Sequence, residues 1–247
     1  MKADPFVQAR LLQLQALDIR LQQIAHARTR LPQIAALEQA RAQLQRAQDD
    51  VVRAETTLGD IRREVARAEA DVQQVRDRAA RDQQRLDTGA GMTSRDLTAL
   101  QSEIESLARR QGDLEEVEIE AMERQEAAEE RVSSGTAKQA ELQAEVDRLT
   151  RERDDALAEL DAEERQVTAP RSELVASIDD ALISLYDRIR DKSGGLAAAE
   201  LKHGRCGGCR LELNPVDLAA IEKAPVDEVV RCEECDRILV RIPASQS

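Results

Sequence analysis

The sequence predicts a mainly α protein: a long antiparallel helical hairpin with a small cysteine-bearing module at its C-terminal end. Three observations carry that prediction. The 247 residues are 34% charged and 1% aromatic, and Ala, Leu, Glu, Arg and Gln dominate, which is the mixture of long helices and coiled coils. Apolar residues recur every seven positions over long stretches. Four cysteines stand near the end of the chain as two Cys-x-x-Cys pairs.

The composition also excludes. One Phe, one Tyr and no Trp are too few for an ordinary compact core, to which aromatic side chains contribute most. This argues against an α/β enzyme, a β-sandwich and a TIM barrel. An apolar share of 41% is too high for a disordered chain. The net charge of −13 speaks against a broad phosphate-binding surface, since nucleic-acid affinity rests mainly on basic residues. No run of eighteen apolar residues is present, so no membrane span is expected. The start, MKADPFVQAR, lacks the apolar core of a signal peptide. The expected location is cytoplasmic, where paired cysteines read as metal ligands before disulfides.

The first arm shows the heptads most clearly. Leu37, Leu44, Val51, Leu58, Val65, Val72, Ala79 and Leu86 recur every seven residues. Ala40, Ala47, Ala54, Ile61, Ala68 and Val75 follow most of them three residues later. This is an a/d repeat, and its mostly alanine flank lets two helix backbones approach closely. Upstream, Leu14, Leu17, Leu21, Ile24 and Leu31 keep the spacing in another phase. The phase breaks at Pro32, where a kink is expected. His26 reads as a solvated helix residue.

Asp87-Thr88-Gly89-Ala90-Gly91-Met92-Thr93-Ser94 is the clearest turn in the first two hundred residues. Thr93 or Ser94 can cap the next helix, and Asp96 suits its first turn. Asp87, Thr93, Ser94, Arg95 and Asp96 are therefore turn-and-capping residues or, alternatively, a recognition tip. The second arm carries Leu97, Leu100, Ile104, Leu107, Leu114, Ala121 and Ala128. It runs on through Leu142, Val146, Leu149, Leu157 and Leu160 to about Val167, and Pro170 is expected to stop it. Ser133-Ser134-Gly135-Thr136 marks a second expected bend. Two arms of roughly 75–80 residues make a rod on the order of 110–120 Å.

Equal arms and a short turn imply antiparallel pairing. Setting Val75 by Leu107, Ala68 by Leu114, Ile61 by Ala121, Ala54 by Ala128, Ala47 by Gly135 and Ala40 by Leu142 puts at least one small residue in every pair but the first. Charge supports the pairing. Residues 1–88 hold 15 Lys+Arg and 13 Asp+Glu, whereas residues 89–201 hold 14 and 28. The acidic arm repels a copy of itself and prefers the other arm. The acidic run Glu115 to Glu120 reads as a solvated face or a partner surface.

A base helix over 171–192 shows an apolar face of Leu174, Ile178, Leu182, Leu185 and Ile189, with Tyr186 on or beside it. Its expected partner is the stretch from Leu11 to Leu31. Gly194-Gly195 then begins a composition shift. Residues 1–193 are thus read as the hairpin, with its tip near 87–94, and residues 194–247 as a separate domain.

That domain holds Cys206-Gly207-Gly208-Cys209 and, after 22 residues, Cys232-Glu233-Glu234-Cys235. Two residues between ligands let a tight turn aim both thiolates at one metal, and zinc closes a tetrahedral site with four. One structural Zn2+ on Cys206, Cys209, Cys232 and Cys235 is expected. Such a site keeps no open position for chemistry. His203 reads as a surface residue or one behind the ligands. Residues 211–213, 229–231 and 238–241 are β-prone. Asn214-Pro215 is a cap and first-turn proline for a short helix to about Lys223.

With Arg95 to Ile104 at the tip, Leu185-Tyr186-Asp187-Arg188-Ile189-Arg190, and Cys232-Glu233-Glu234-Cys235-Asp236-Arg237-Ile238-Leu239-Val240, the chain resembles, over its whole length, the bacterial family of coiled-coil hairpins with a C-terminal zinc ribbon of the four-cysteine type. The resemblance implies bound zinc, no catalysis, and a role in nucleic-acid binding or protein chaperoning. The family usually has glycine after the last cysteine; Asp236 stands there in this chain, which bears on the local turn and leaves the ligands intact.

The sequence reading is a non-enzymatic adaptor that docks protein partners through hairpin and ribbon, in transcription or RNA metabolism, with no membrane and no small-molecule substrate. A second reading is a nucleic-acid-binding protein using Arg205, Arg210, Arg231, Arg237 and Arg241. Against it stand 7 Lys+Arg and 8 Asp+Glu in residues 202–247 and the absence of stacking aromatics there. A third is an RNA polymerase regulator that inserts the coiled-coil tip.

Overall fold

The computed structural model describes residues 1–242, so the last five residues of the expected 194–247 domain lie outside the described residues. The elements are α1 (Pro5–Thr29), α2 (Pro32–Thr88), α3 (Ser94–Ala176), α4 (Asp180–Lys192), β1 (Ala198–Lys202), β2 (Arg205–Cys206), α5 (Pro215–Lys223), β3 (Val230–Arg231) and β4 (Ile238–Val240). Packing divides them into two units: Ala35–Thr150, and Met1–Ile34 together with Arg151–Ser247.

The first unit is the helical hairpin of α2 and α3. Leu37, Leu44, Val51, Leu58, Val65 and Val72 are buried on α2, as the heptads predict. Leu100, Leu107, Leu114, Ala121, Ala128, Val146 and Leu149 are buried on α3. Leu37, Ala40 and Leu44 pack with Val146 and Leu149.

The register differs from the one the sequence suggests. A Cβ placed on Gly135 would stand 3.1 Å from Val51 Cγ2, so Gly135 faces Val51, four residues beyond Ala47. The same offset sets Leu58 by Ala128, Val65 by Ala121 and Leu44 by Leu142. Helical side chains lean toward their own N-terminus. In antiparallel helices the two leans are opposed, so the residues whose side chains meet are offset from those at the same height.

The segment from Ser133 to Thr136 does not bend out of the helix. Ser134 and Thr136 hydroxyls donate to the carbonyls of Arg131 and Val132, and Gly135 supplies close approach instead of a break. Ion pairs cross between the arms: Arg62–Glu129 (2.8 Å), Arg76–Glu115 (2.6 Å), Arg78–Glu103 (2.6 Å) and Arg124–Glu64 (2.9 Å). Three of the four put the cation on the less acidic arm.

At the turn, Thr93 caps α3. The Thr93 N–H and hydroxyl both donate to Asp96 Oδ2 (3.0 and 2.7 Å), and the Asp96 N–H donates back to Thr93 Oγ1 (3.3 Å). This reciprocal cap holds the Asp96 carboxyl below its ordinary range, through the Thr93 backbone N–H first and the hydroxyl second. Asp87 accepts from Gln83 (2.8 Å), and the Ser94 carbonyl from Thr98 (3.0 Å). Arg95 is exposed.

The second unit gathers both ends of the chain. α1 starts at the cap Asp4, whose side chain accepts from Phe6 N, with Pro5 at the first position. α1 and α2 are separate helices, broken at Arg30 and Leu31. Pro32 thus opens a helix, and the expected kink is a full interruption.

Pro170 does not stop α3, which continues to Ala176. Thr168 Oγ1 donates to the Glu164 carbonyl (2.7 Å) and Ser172 Oγ to the Thr168 carbonyl (3.0 Å). These hydroxyls add local hydrogen bonds around the position where proline removes one, and Arg171 is anchored on Asp18. The stop comes at Ser177, and Asp179 caps α4 by accepting from Ala181 N (2.8 Å). The base helix expected over 171–192 is therefore α4, beginning at Asp180.

The sheet has the order β2-β1-β4-β3, with β1 and β4 parallel and the other pairs antiparallel. Residues 211–213 form only a bridge, Glu212 to Arg205. One apolar core joins helices to sheet: Leu11 and Leu14 of α1, Leu182, Tyr186 and Ile189 of α4, and Ala197, Ala198, Ile238 and Val240. The chain start adds to it, with Ala3 N donating to Asp227 O (2.7 Å) and Val229 N to Met1 O (3.0 Å).

Candidate metal centre

The two Cys-x-x-Cys pairs fold into two loops of the same form. In the first, Arg210 N donates to Cys206 O (2.8 Å) and Cys206 N to Leu211 O (3.0 Å). In the second, Asp236 N donates to Cys232 O (2.8 Å) and Cys232 N to Arg237 O (2.9 Å). The residue after each second cysteine is left-handed: Arg210 at φ 65° and Asp236 at φ 61°. Glycine takes this conformation freely, which explains the usual glycine. Aspartate tolerates it better than most residues, and Asp236 pairs with Arg231. The departure from the family pattern leaves the loop intact.

The loops bring the four sulfurs together. Cys206 Sγ lies 3.8 Å from Cys235 Sγ, and Cys209 Sγ 3.9 Å from Cys232 Sγ. All four ligand atoms lie within 4.8 Å of one another. Sulfurs bound to one zinc at about 2.3 Å in a tetrahedron stand about 3.8 Å apart, whereas a disulfide needs about 2.05 Å. The donor set and its spacing fit a closed zinc site.

Ala199, Leu213, Ile221 and Leu239 pack around the centre. Cys206 and Cys232 are buried, while Cys209 and Cys235 are half-buried. Burial raises the Cys206 thiol above its ordinary value and pushes Cys232 up to about 12. Burial acts upward on Cys235 too, but hydrogen bonds from the Arg237 backbone and side chain, with those of Cys232 and Cys209, together outweigh it and bring that thiol to about 7. A bound zinc would take all four as thiolates. His203 is an exposed turn residue at φ 50°, followed by Gly204 at φ 72°. It stands outside the sulfur cluster, between β1 and β2, as the two-residue turn of a hairpin demands.

The five ribbon arginines have different surroundings. Arg205 pairs with Glu212 (3.5 Å) and Arg231 with Asp236. Arg237 donates to the Leu196 carbonyl (2.8 Å) and, more weakly, to that of Ser193. Arg241 donates to the carbonyls of Ile221, Ala224, Pro225, Val226 and Glu228. Arg210 is exposed and left-handed. The tip residues Asp87, Thr93, Ser94, Arg95 and Asp96 belong to the hairpin unit and the arginines to the other.

A buried polar cluster escaped the sequence reading. Asp18 accepts from Tyr186 Oη (2.7 Å), Arg171 Nε (2.5 Å) and Arg190 Nη1 (3.2 Å). Tyr186 is fully buried and Asp18 is 8% exposed. Burial pushes the Asp18 carboxyl up, but the hydrogen bonds from Arg171, Tyr186 and Arg190 together hold it below its ordinary value. Burial, then the hydrogen bond to Asp18 and its charge, raises the Tyr186 hydroxyl. The missed signal was an acid four residues after Leu14 and three before Leu21, on an apolar face.

A helical hairpin and a closed four-cysteine centre define a coiled-coil zinc-ribbon protein. The family model of the CT398-like coiled coil hairpin domain matches residues 14–194, and that of the C4-type zinc ribbon domain matches residues 205–239; the chain belongs to this family. An uncharacterized protein of Mycobacterium tuberculosis is 38% identical over 242 residues, covering 98% of each chain. A solved structure from Mycobacterium smegmatis superposes with a TM-score of 0.83 at 37% identity, over 98% of this chain and 100% of that one. CT398 from Chlamydia trachomatis shares the fold, with a TM-score of 0.66 at 19% identity over 96% and 98%.

Proposed function

We propose that the chain is a non-enzymatic adaptor that docks protein partners through its hairpin and its zinc ribbon, in transcription or RNA metabolism, with zinc serving structure alone. The observation that carries this reading is the engagement of the ribbon arginines. Phosphate binding needs free cations, yet Arg237 and Arg241 serve backbone carbonyls and Arg205 and Arg231 pair with acids. Four thiolates on one zinc add a formal −2 to a ribbon whose charges already balance near zero. Among the described residues no helix is long and apolar enough to cross a membrane.

The test is fluorescence anisotropy of labelled RNA and DNA with the zinc-loaded chain at about 50 and 200 mM salt. A native-lysate pull-down with and without nuclease accompanies it. The adaptor reading expects no salt-sensitive binding and protein partners that nuclease does not release. Nucleic-acid binding that falls steeply with salt and is lost on Arg210→Ala would replace it with the nucleic-acid reading.

A further inference from the structure

We propose that Arg237 is the positioning residue of the metal centre, bracing both cysteine loops against the end of α4 and setting how tightly the site retains zinc.

Arg237 touches three parts of the unit at once. Its own carbonyl accepts from Cys232 N (2.9 Å), closing the second loop. Its side chain lies across the first loop. A Cβ placed on Gly208 would stand 2.6 Å from Arg237 Cδ, 3.2 Å from Ala199 Cβ and 3.4 Å from Arg237 Nε, so any side chain there would push the arginine stem aside. Beyond the loops, Nε donates to Leu196 O (2.8 Å) and Nη2 reaches toward Ser193 O (3.4 Å). Ser193 is the C-cap of α4, and its hydroxyl bonds the Ile189 and Leu196 carbonyls (2.6 and 2.7 Å). The guanidinium is thus fixed at the helix end.

Electrostatics gives the brace a second effect. Four thiolates on Zn2+ carry a formal −2, and the half-buried Arg237, two residues after Cys235, is held against the first cysteine loop beside that charge. The other ribbon arginines do not share this placement: Arg241 bonds carbonyls of residues 221–228, and Arg205 faces Glu212. Groups behind metal ligands typically change metal affinity about 10–100-fold when removed.

The experiment uses the zinc-loaded full chain and measures zinc release to a chromophoric chelator. In parallel, the sulfur-to-metal charge-transfer band is recorded after cobalt substitution. Arg237→Gln is expected to weaken zinc retention about 10–100-fold and to shift the cobalt band. Arg237→Lys, which restores the charge without the fork, should recover only part of the loss. Arg205→Gln, an equal charge change, should leave both readouts alone. Gly208→Ala keeps the cation and displaces its stem, so it should weaken retention even if Arg237→Gln fails to fold. Zinc retention within about twofold of the native chain in either Arg237→Gln or Gly208→Ala overturns the assignment, as does an equal loss in Arg205→Gln.

Discussion

The hairpin unit and the unit built from the two chain ends bury their apolar groups in different ways. In Ala35–Thr150 the buried residues form a ladder of similar layers, each made of one or two side chains per helix. Ion pairs between its arms are solvent-exposed. In the other unit, α1, α4, β1 and β4 share a single cluster around Leu11, Leu14, Tyr186 and Ile238, and a buried acid is satisfied by three donors. A repeated structure distributes its stability, so no single layer dominates. A small mixed core concentrates it in a few long-range groups, and about 45 residues of ribbon have little core without metal.

The largest effect should come from the metal. Chelation, or Cys232→Ser, is expected to remove amide protection from β1 to β4, because metal binding is folding energy in such modules. Since those strands share a core with α1 and α4, the change should extend to Tyr186. Tyr186 is the only tyrosine and no Trp is present, so tyrosine fluorescence reads this unit alone. Most of the helical circular dichroism should survive in α2 and α3. Collapse of the whole helical signal would erase the distinction between the two units.

Removing the buried acid comes next. Asp18→Ala leaves the Arg171 guanidinium and a buried hydroxyl without their acceptor and Arg190 with only Asp187 and Asp191, and should cost about 3–5 kcal/mol; Tyr186→Phe should cost about 1–2 kcal/mol. Urea unfolding followed by tyrosine fluorescence checks Asp18→Ala, and amide exchange in α4 checks Tyr186→Phe. The folded Asp18 takes up its proton less readily than the unfolded one. Its contribution is therefore complete above the ordinary carboxyl value of about 3.9 and fades as pH falls through the lower folded value. The native chain should lose tyrosine-reported stability in acid, and Asp18→Asn should flatten that dependence. An unchanged acid slope would remove Asp18 from the account.

In the hairpin, the largest single effect is expected where two backbones approach. Gly135→Leu should cost about 1–3 kcal/mol by overpacking against Val51. Cysteines at Val51 and Gly135 in the zinc-loaded chain should crosslink within one chain, and faster than the pair Ala47 and Gly135. Preference for the second pair would restore the register read from the sequence. Crosslinked dimers alone, at low concentration, would replace the hairpin with a multi-chain coil.

The smallest effect should come from an exposed ion pair. Arg62→Ala should leave the thermal midpoint of the hairpin within experimental error, since such pairs contribute little net stability. A clear drop would show that the arms are held by charge as well as by layers.

Much of the architecture was legible because it is periodic or local. The heptads from Leu37 to Leu86 declare a helix face at every turn, the tip announces itself by Gly89 and Gly91, and Cys-x-x-Cys spacing prescribes its own loop. Asn214-Pro215 opened α5 and Lys223 closed it, as read. These features depend on neighbours within about seven residues, and a linear text carries them.

Long-range contacts decided the rest. Ala198-Ala199-Glu200-Leu201-Lys202 has helix-forming composition, yet it is β1. The Gln15 carboxamide accepts from the N–H groups of Ala197 and Ala198 (2.5 and 3.1 Å), and Cys206 and Val240 supply strand partners. Pro170 stays within α3 while Arg171 is held by a residue 153 positions away. Arg237 and Arg241 look like surface cations in sequence and are tied to carbonyls in the fold. Local propensities differ by only about 1 kcal/mol or less for most residues, so a few buried hydrogen bonds between distant segments are enough to overrule them.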